Sequence, residues 1–349
     1  MKSNLARVLL VADTHLGFDL PFRPRIQRRR RGHDFFANLE RALQPALQGA
    51  IDLVVHGGDL FYRSKVPAAL VEMAMTALVQ VADAGVPVYL VPGNHERSRI
   101  PLHLWTAHPN IHIFDRPRTF NCSLENGSVA LSGFPFARNI QEQFRDLVDQ
   151  TQHADVRADA HLLCIHQAVE GARVGTHDYT FRNGSDVVRG REIPEGFSAV
   201  LAGHIHRSQV LRHDLIGDLL PAPVIYPGSI ERTSFAERDE DKGYMIVKLG
   251  LAGCDGDRLV DVSFVRLPAR PMISLSIEPS TMEEPSLAAH LAKQLAALSP
   301  DSVVRVQVRG PGAADAHQVL SAAYLRHLAP PSMNITLSAR DPKILARCG

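Results

Sequence analysis

The chain has 349 residues, is 45% hydrophobic and carries a formal net charge of only +1, which favours two ordinary globular domains and excludes a global basic field of the kind that announces a nucleic-acid binder. Its four cysteines (Cys122, Cys164, Cys254, Cys348) make no CxxC pair, which argues against a disulfide scaffold or zinc knuckle and suits a reducing cytoplasm. The N-terminal apolar stretch is too short for a signal peptide, and the most apolar region, 66–92, contains Glu72, Gln80, Asp83 and Pro87, so no membrane span is expected.

In chain order, short apolar runs rich in β-branched residues alternate with helical patterns. RVLLVA (7–12) reads as a buried strand. DFFANLERALQPALQ (34–48) follows, with apolar residues at 35, 36, 39, 43 and 47 forming one helical face. IDLVVH (51–56) is the next strand. A helix over 67–84 starts at Pro67, a favoured first-turn residue, and stops before Gly85. VPVYLV (86–91), VALSGF (129–134), HLLCIH (161–166) and FSAVLA (197–202) continue the series, with further strands at 223–230 and 243–249. This alternation implies an α/β fold with much parallel sheet. Beyond LPARP (267–271) come a strand (272–277), a helix (284–298), a strand (303–308), a helix (314–328) and a last strand (333–338). The expected organisation is therefore a large domain over 1–267, a small α/β domain over 268–340 and a tail at 341–349.

Five strand ends finish alike. RVLLVA runs into Asp13-Thr14-His15, and IDLVVH into Gly57-Gly58-Asp59. VPVYLV runs into Pro92-Gly93-Asn94-His95-Glu96, HLLCI into His166, and FSAVLA into Gly203-His204-Ile205-His206. Ligands of open α/β sheets sit just beyond the carboxyl ends of strands. One pair such as His204 and His206 would pass for core histidines, but five ends presenting Asp, Asn or His point to a metal centre. Two carboxylates, one amide oxygen and four imidazoles form a mixed oxygen–nitrogen set suited to manganese, iron or zinc. Seven donors exceed one ion and suit two, about 3.5–4 Å apart, clamping the oxygens of a phosphoester displacement. Against only Asp13 and Asp59 such a centre stays positive and favours an anionic phosphate, and water held between the ions would be acidified to a hydroxide nucleophile. His56 and His161 lie inside strand patterns and are expected to be ordinary core histidines.

DTH, GGD, GNHE, a lone histidine after a strand and GHIH, in that order, resemble the calcineurin-like metallophosphoesterase superfamily over roughly the first 250 residues. DTHLG, GGDLF, AGHIHRSQVL and YPGSIERTSFAERDEDKGY look most like its SbcD-type DNA double-strand-break repair exonucleases. The resemblance implies a metallophosphoesterase sandwich of central β-sheets flanked by helices, with a small C-terminal α/β capping domain. It implies a two-metal DNA phosphodiesterase with exonuclease or endonuclease action and two Mn²⁺ ions. By matching motif, Asp13, His15 and His206 would hold the first ion and Asn94, His166 and His204 the second, with Asp59 bridging. His95 would act near the scissile phosphate, donating a proton or stabilising charge. A phosphatase or small-molecule phosphodiesterase on the same scaffold is the first alternative, and a non-catalytic DNA-end-binding subunit the second.

RPRIQRRRRGH packs six arginines into residues 23–31, and Arg28, Arg29, Arg30 and Arg31 are candidates for contacts with DNA phosphates. ERDEDKGY (237–244) reads as a solvated turn before a strand. Tyr62 stands where many of these nucleases carry a histidine, and Glu96 where an aspartate is common. The resemblance also implies an SbcC-type ATPase partner, of the structural-maintenance type, and a homodimer. The segment that docks the ATPase would be short here, because the sequence ends about a dozen residues after its last expected strand.

Overall fold

The computed structural model describes residues 4–20, 28–96, 108–175, 178–251, 258–279, 284–311, 313 and 319–338. The expected tail at 341–349, together with Arg23 and Arg25, lies outside them. Two units divide the chain, the first formed by Met1–Asp19 and Asp34–Pro268, the second by Leu20–His33 and Ala269–Gly349. The arginine-bearing segment thus groups with the C-terminal unit, although it lies early in the sequence.

The longer strands of the first unit are β1 (Leu5–Val11), β2 (Leu53–His56), β3 (Val88–Leu90), β4 (Ile111–Ile113), β5 (Arg118–Leu124), β6 (Gly127–Gly133), β7 (Ala160–His166), β8 (Ala199–Gly203), β9 (Gln209–His213), β10 (Leu219–Tyr226), β11 (Gly243–Gly250) and β12 (Leu259–Arg266). They form two six-stranded sheets, ordered β12-β11-β1-β2-β3-β4 and β9-β10-β8-β7-β6-β5. In the first sheet β1 to β4 run parallel, while β11 joins β1 antiparallel, with Val8 opposite Val247. In the second, β6, β7, β8 and β10 are parallel and the edge strands β5 and β9 antiparallel. The helices are α1 (Gly32–Leu47), α2 (Ala68–Asp83) and α3 (Ile140–Asp149). Two mixed sheets with helices flanking them are the metallophosphoesterase sandwich that the motifs imply.

Alternation along the strands builds the interior. Val8 and Leu10 of β1 and Leu53 and Val55 of β2 share one buried cluster with Leu131, Leu162, Leu201 and Ile225 of the second sheet. Intervening residues such as Leu163, Ile165, Val200 and Ala202 face the other way and pack with Ile140, Phe144 and Val148 of α3. Both faces are therefore covered, which is why these segments read as continuous apolar runs rather than polar–apolar alternation. Each fully buried side chain of this size contributes about 1.5–3 kcal/mol.

The carboxyl ends of β2 and β8 meet closely. A Cβ on Gly203 would collide with the Gly57 carbonyl oxygen and stand 2.8 Å from His166 Nδ1, so the close approach requires glycine. This contact brings the loops of both sheets to one place.

The second unit has its own parallel sheet of β13 (Met272–Ile277), β14 (Val303–Val308) and β15 (Asn334–Leu337). Leu291 and Leu295 of α4 (Glu284–Ala296) and Leu325 of α5 (Ala322–Leu328) share its core with Val304 and Val306. Among the described residues, no helix is long and apolar enough to cross a membrane.

Candidate metal centre

The loops after β1 and β2 are zipped together by backbone hydrogen bonds. Asp13 N–H donates to the Gly58 carbonyl at 2.9 Å, His15 N–H to Asp59 O at 3.0 Å, and Leu16 N–H to Leu60 O at 2.8 Å. Asp13, His15, Asp59 and His204 all adopt positive φ, at 49°, 42°, 51° and 85°. Each such residue costs about 1–3 kcal/mol and persists only where its surroundings enforce it. The strain turns these side chains out of the strand direction and toward a common centre.

Around that centre the seven expected donors come together as two groups. His15 Nε2 and His206 Nε2 lie 2.9 Å apart, and Asp13 offers a carboxylate oxygen within 4.8 Å of both. Asn94 Oδ1 lies 3.1 Å from His166 Nε2 and 3.0 Å from His204 Nδ1. Asp59 belongs to both neighbourhoods, since its oxygens fall within 4.8 Å of ligand atoms of His15 and His95 and, separately, of Asp13 and His166. His166 is oriented from behind, where its Nδ1–H donates to the Gly57 carbonyl at 2.7 Å and leaves Nε2 facing the centre. The His204 backbone N–H donates to both Asp13 oxygens at 3.1 Å.

Burial and charge act in opposition across this cluster. Burial, reinforced by neighbouring imidazolium charge, pulls His15 down to about 3 and His204 to about 4, so both are neutral, the form that can coordinate. His166 is pulled down by burial, but the Asp59 and Asp13 carboxylates outweigh it and raise it to about 9. Burial would raise Asp59, yet the surrounding imidazoles hold it well below the usual carboxylate range. Burial raises Asp13. Among the described residues, the buried His15 Nδ1 has no hydrogen-bond partner. Converging carboxylates, imidazoles and an amide oxygen fit divalent metal ions of the manganese, iron or zinc type.

Residues 6–208 match the calcineurin-like phosphoesterase family. The chain belongs to that family. This phosphoesterase is similar to the DNA double-strand break repair protein Mre11 of Haloferax volcanii, with 29% identity over 88% of this chain and 62% of that one. Its similarity to Mre11 of Halobacterium salinarum is 31% over 75% of this chain and 60% of that one. The Methanosarcina mazei Mre11 is 24% identical over 97% of this chain and 50% of its own length. The phosphoesterase thus spans about 50–62% of these curated relatives.

His95 of the phosphoesterase borders the cluster, with its side chain 33% exposed and its Nε2 3.6 Å from Asp59 Oδ2. Its Nδ1–H donates to the Tyr62 carbonyl at 2.7 Å, which leaves Nε2 on the site side. The Tyr62 ring, 6.1 Å away, stacks beside it. A cavity of about 570 Å³, lined by Tyr62, Arg63, Ser64, Lys65, Asn94 and His95, opens onto this edge.

Three residues important to the site's geometry were given no role by motif reasoning. Glu96 accepts the N–H groups of Asp59, Phe61 and Gly93 at 2.9, 2.9 and 2.7 Å, and so staples two of the donor-bearing loops together. Burial, with Asp59 nearby, pushes its carboxyl up to about 8. Glu237 and Lys242 stand in the ERDEDKGY run, which does turn with Arg238, Asp239 and Asp241 exposed before β11, but these two side chains are buried. Glu237 is 8% exposed and Lys242 1%, and the two are paired at 2.8 Å. The available signal was adjacency, since this charged run leads straight into the buried strand β11. A charge count alone reads such a run as surface.

His56 is fully buried in β2, facing Thr14 Oγ1 at 3.1 Å and accepting the Gly58 N–H at 3.2 Å. The four arginines are dispersed in role. Arg28 donates to the carbonyls of Arg326 (2.6 Å), Ala329 (3.2 Å), Pro331 (3.3 Å) and Pro330, where the chain leaves α5. Arg29 pairs with Asp301 at 3.3 Å, Arg30 is half-buried and Arg31 is buried.

Proposed function

We propose that this phosphoesterase is a metal-dependent DNA phosphodiesterase acting in double-strand break repair, with exonuclease or endonuclease action and two Mn²⁺ ions as cofactors. The observation that carries the reading is the sharing of Asp59 between two donor groups, with His95 beside it at the open edge of the cluster. Asp13, His15 and His206 would hold the first ion, Asn94, His166 and His204 the second, and Asp59 would serve both. When bound, the ions supply Lewis-acid stabilisation of the phosphate and an acidified water.

The protein's own part is positional. The Gly57 carbonyl sets the His166 tautomer, and the Tyr62 carbonyl sets that of His95. Held this way, His95 Nε2 lies at the open edge of the cluster, where its protonated form would give its proton to the leaving oxygen or stabilise the charge developing there. Because a backbone carbonyl orients His95, the tyrosine at 62 is compatible with this role. The names of the relatives support DNA as the substrate; an ATPase partner, a homodimer and a cytoplasmic location belong to the proposal as what the motif resemblance implies. Phosphate contacts from the run Arg28, Arg29, Arg30 and Arg31 are part of the proposal, carried chiefly by Arg29, whose side chain is 42% exposed.

The test is digestion of end-labelled linear duplex DNA with Mn²⁺, Mg²⁺ or EDTA, comparing wild type with His95→Ala and Asp59→Asn. Manganese-dependent cleavage, lost in both variants, is expected. Intact DNA with hydrolysis of a generic phosphoester would move the assignment to a phosphatase. DNA-end binding without hydrolysis of either substrate would move it to a binding subunit.

A further inference from the structure

The ion pair behind His206 supplies none of the seven expected donors, yet it grips that histidine from two sides. Lys242 Nζ is fully buried and uses its three N–H bonds on Glu237 Oε2 at 2.8 Å, Glu240 Oε2 at 2.9 Å and the His206 carbonyl at 2.9 Å. The other oxygen of Glu237, Oε1, accepts the Thr233 hydroxyl at 2.6 Å and faces His206 Nδ1 at 3.3 Å. One residue thus has its backbone held by the ammonium and its ring held by the carboxylate that the same ammonium positions.

We propose that Glu237, locked in place by Lys242, is the positioning residue that fixes the His206 ring and thereby sets the affinity of the first metal position. The inference rests on the two-ion reading of the site. A carboxylate can only accept, so the proton of the imidazole stays on Nδ1 and the Nε2 lone pair is directed toward His15 and Asp13. Lys242 has a second effect. Glu237 and Glu240 share its ammonium, and without it two carboxylates would face each other in a buried space, where repulsion would swing Glu237 away from the ring. Thr233 completes the fixation by holding Oε1 in place. Among the described residues, no carboxylate is hydrogen-bonded to the His204 ring, whose Nδ1 itself faces Asn94. The device therefore acts on one of the two positions only.

The experiment is calorimetric titration of the whole chain with Mn²⁺, for wild type, Glu237→Gln, Lys242→Met and Thr233→Val, alongside thermal unfolding and ¹⁵N spectra of the His206 ring. Wild type is expected to take two ions. Glu237→Gln is expected to weaken one of them about 10–100-fold and leave the other unchanged, with His206 passing from a single Nδ1–H tautomer to a mixture. Lys242→Met is expected to weaken the same ion, and combining it with Glu237→Gln to add little, because the two act through one ring. Thr233→Val should weaken that ion less, and it decides the matter if the charged variants fail to fold. Two ions bound as tightly in Glu237→Gln as in wild type, or both weakened together in step with the melting temperature, would reduce the pair to a folding role. A wild-type chain that takes no Mn²⁺ would overturn the two-ion reading itself, and this inference with it.

Discussion

Glu96 and Asp59 are joined across two loops, the carboxylate of the first accepting the backbone N–H of the second at 2.9 Å. The same carboxylate also takes the Phe61 and Gly93 N–H groups, so Asp59 and the segment carrying Asn94 and His95 are tied to one group. Gly93 is confined there as well, since a Cβ on it would run into the Asp59 side chain. Glu96→Ala leaves three buried N–H groups without their acceptor. At about 1–3 kcal/mol for each unsatisfied group, partly relieved by water, a loss of roughly 3 kcal/mol is expected. Urea unfolding monitored by circular dichroism measures it. A midpoint unchanged from wild type would show that the staple does not hold the loops.

Asp59 is the donor common to both halves of the cluster, so it is the residue whose loss is felt twice. Asp59→Asn keeps the volume and removes the carboxylate charge that the proposed function places between two cations. We expect equilibrium dialysis to count fewer than two Mn²⁺ per chain in this variant, and cleavage to fall below detection. Asn94→Ala, by comparison, should lose one ion and keep the other.

His95 touches the site from outside the donor set, and its replacement should separate chemistry from metal binding. In His95→Ala two Mn²⁺ are expected to remain while turnover falls about 10²–10⁴-fold, the usual loss for a removed acid–base group. Tyr62→Phe should leave turnover at the wild-type level, because the group that orients His95 is the backbone carbonyl of residue 62. A large loss in Tyr62→Phe would instead give the phenol a direct part in the reaction.

Arg28 caps carbonyl groups of the second unit, and glutamine is too short to reach them. Arg28→Gln is expected to cost about 1–3 kcal/mol, read as a lower urea midpoint. Arg29→Gln should leave the midpoint in place and flatten the dependence of DNA binding on salt. If Arg28→Gln flattened the salt dependence and left the midpoint unmoved, the carbonyl contacts would not be its main role.

Much of this molecule was legible from the sequence because the relevant signals are local. The buried parallel strands are unbroken apolar runs, and their boundaries mostly fall within a few residues of those expected. The edge strands were not legible. β5 reads RTFNCSL, a half-exposed pattern that serves turn or strand equally well, and β9 and β12 are likewise only partly buried. The chemistry of the strand ends was legible for the same local reason. Asp13, His15, Asp59, Asn94, His166, His204 and His206 each stand within four residues of the end of an apolar run, so residue type and position were enough to nominate them. What only the tertiary structure decided is which group stands behind each of them. Glu96 reaches Asp59 across 37 residues, and Glu237 reaches His206 across 31. Lys242 is buried because two carboxylates and a carbonyl surround it, and no property of the local sequence distinguishes it from a lysine in water. Hydrophobic patterning is set by neighbours along the chain, whereas the burial of a charge is set by partners that only folding brings within reach.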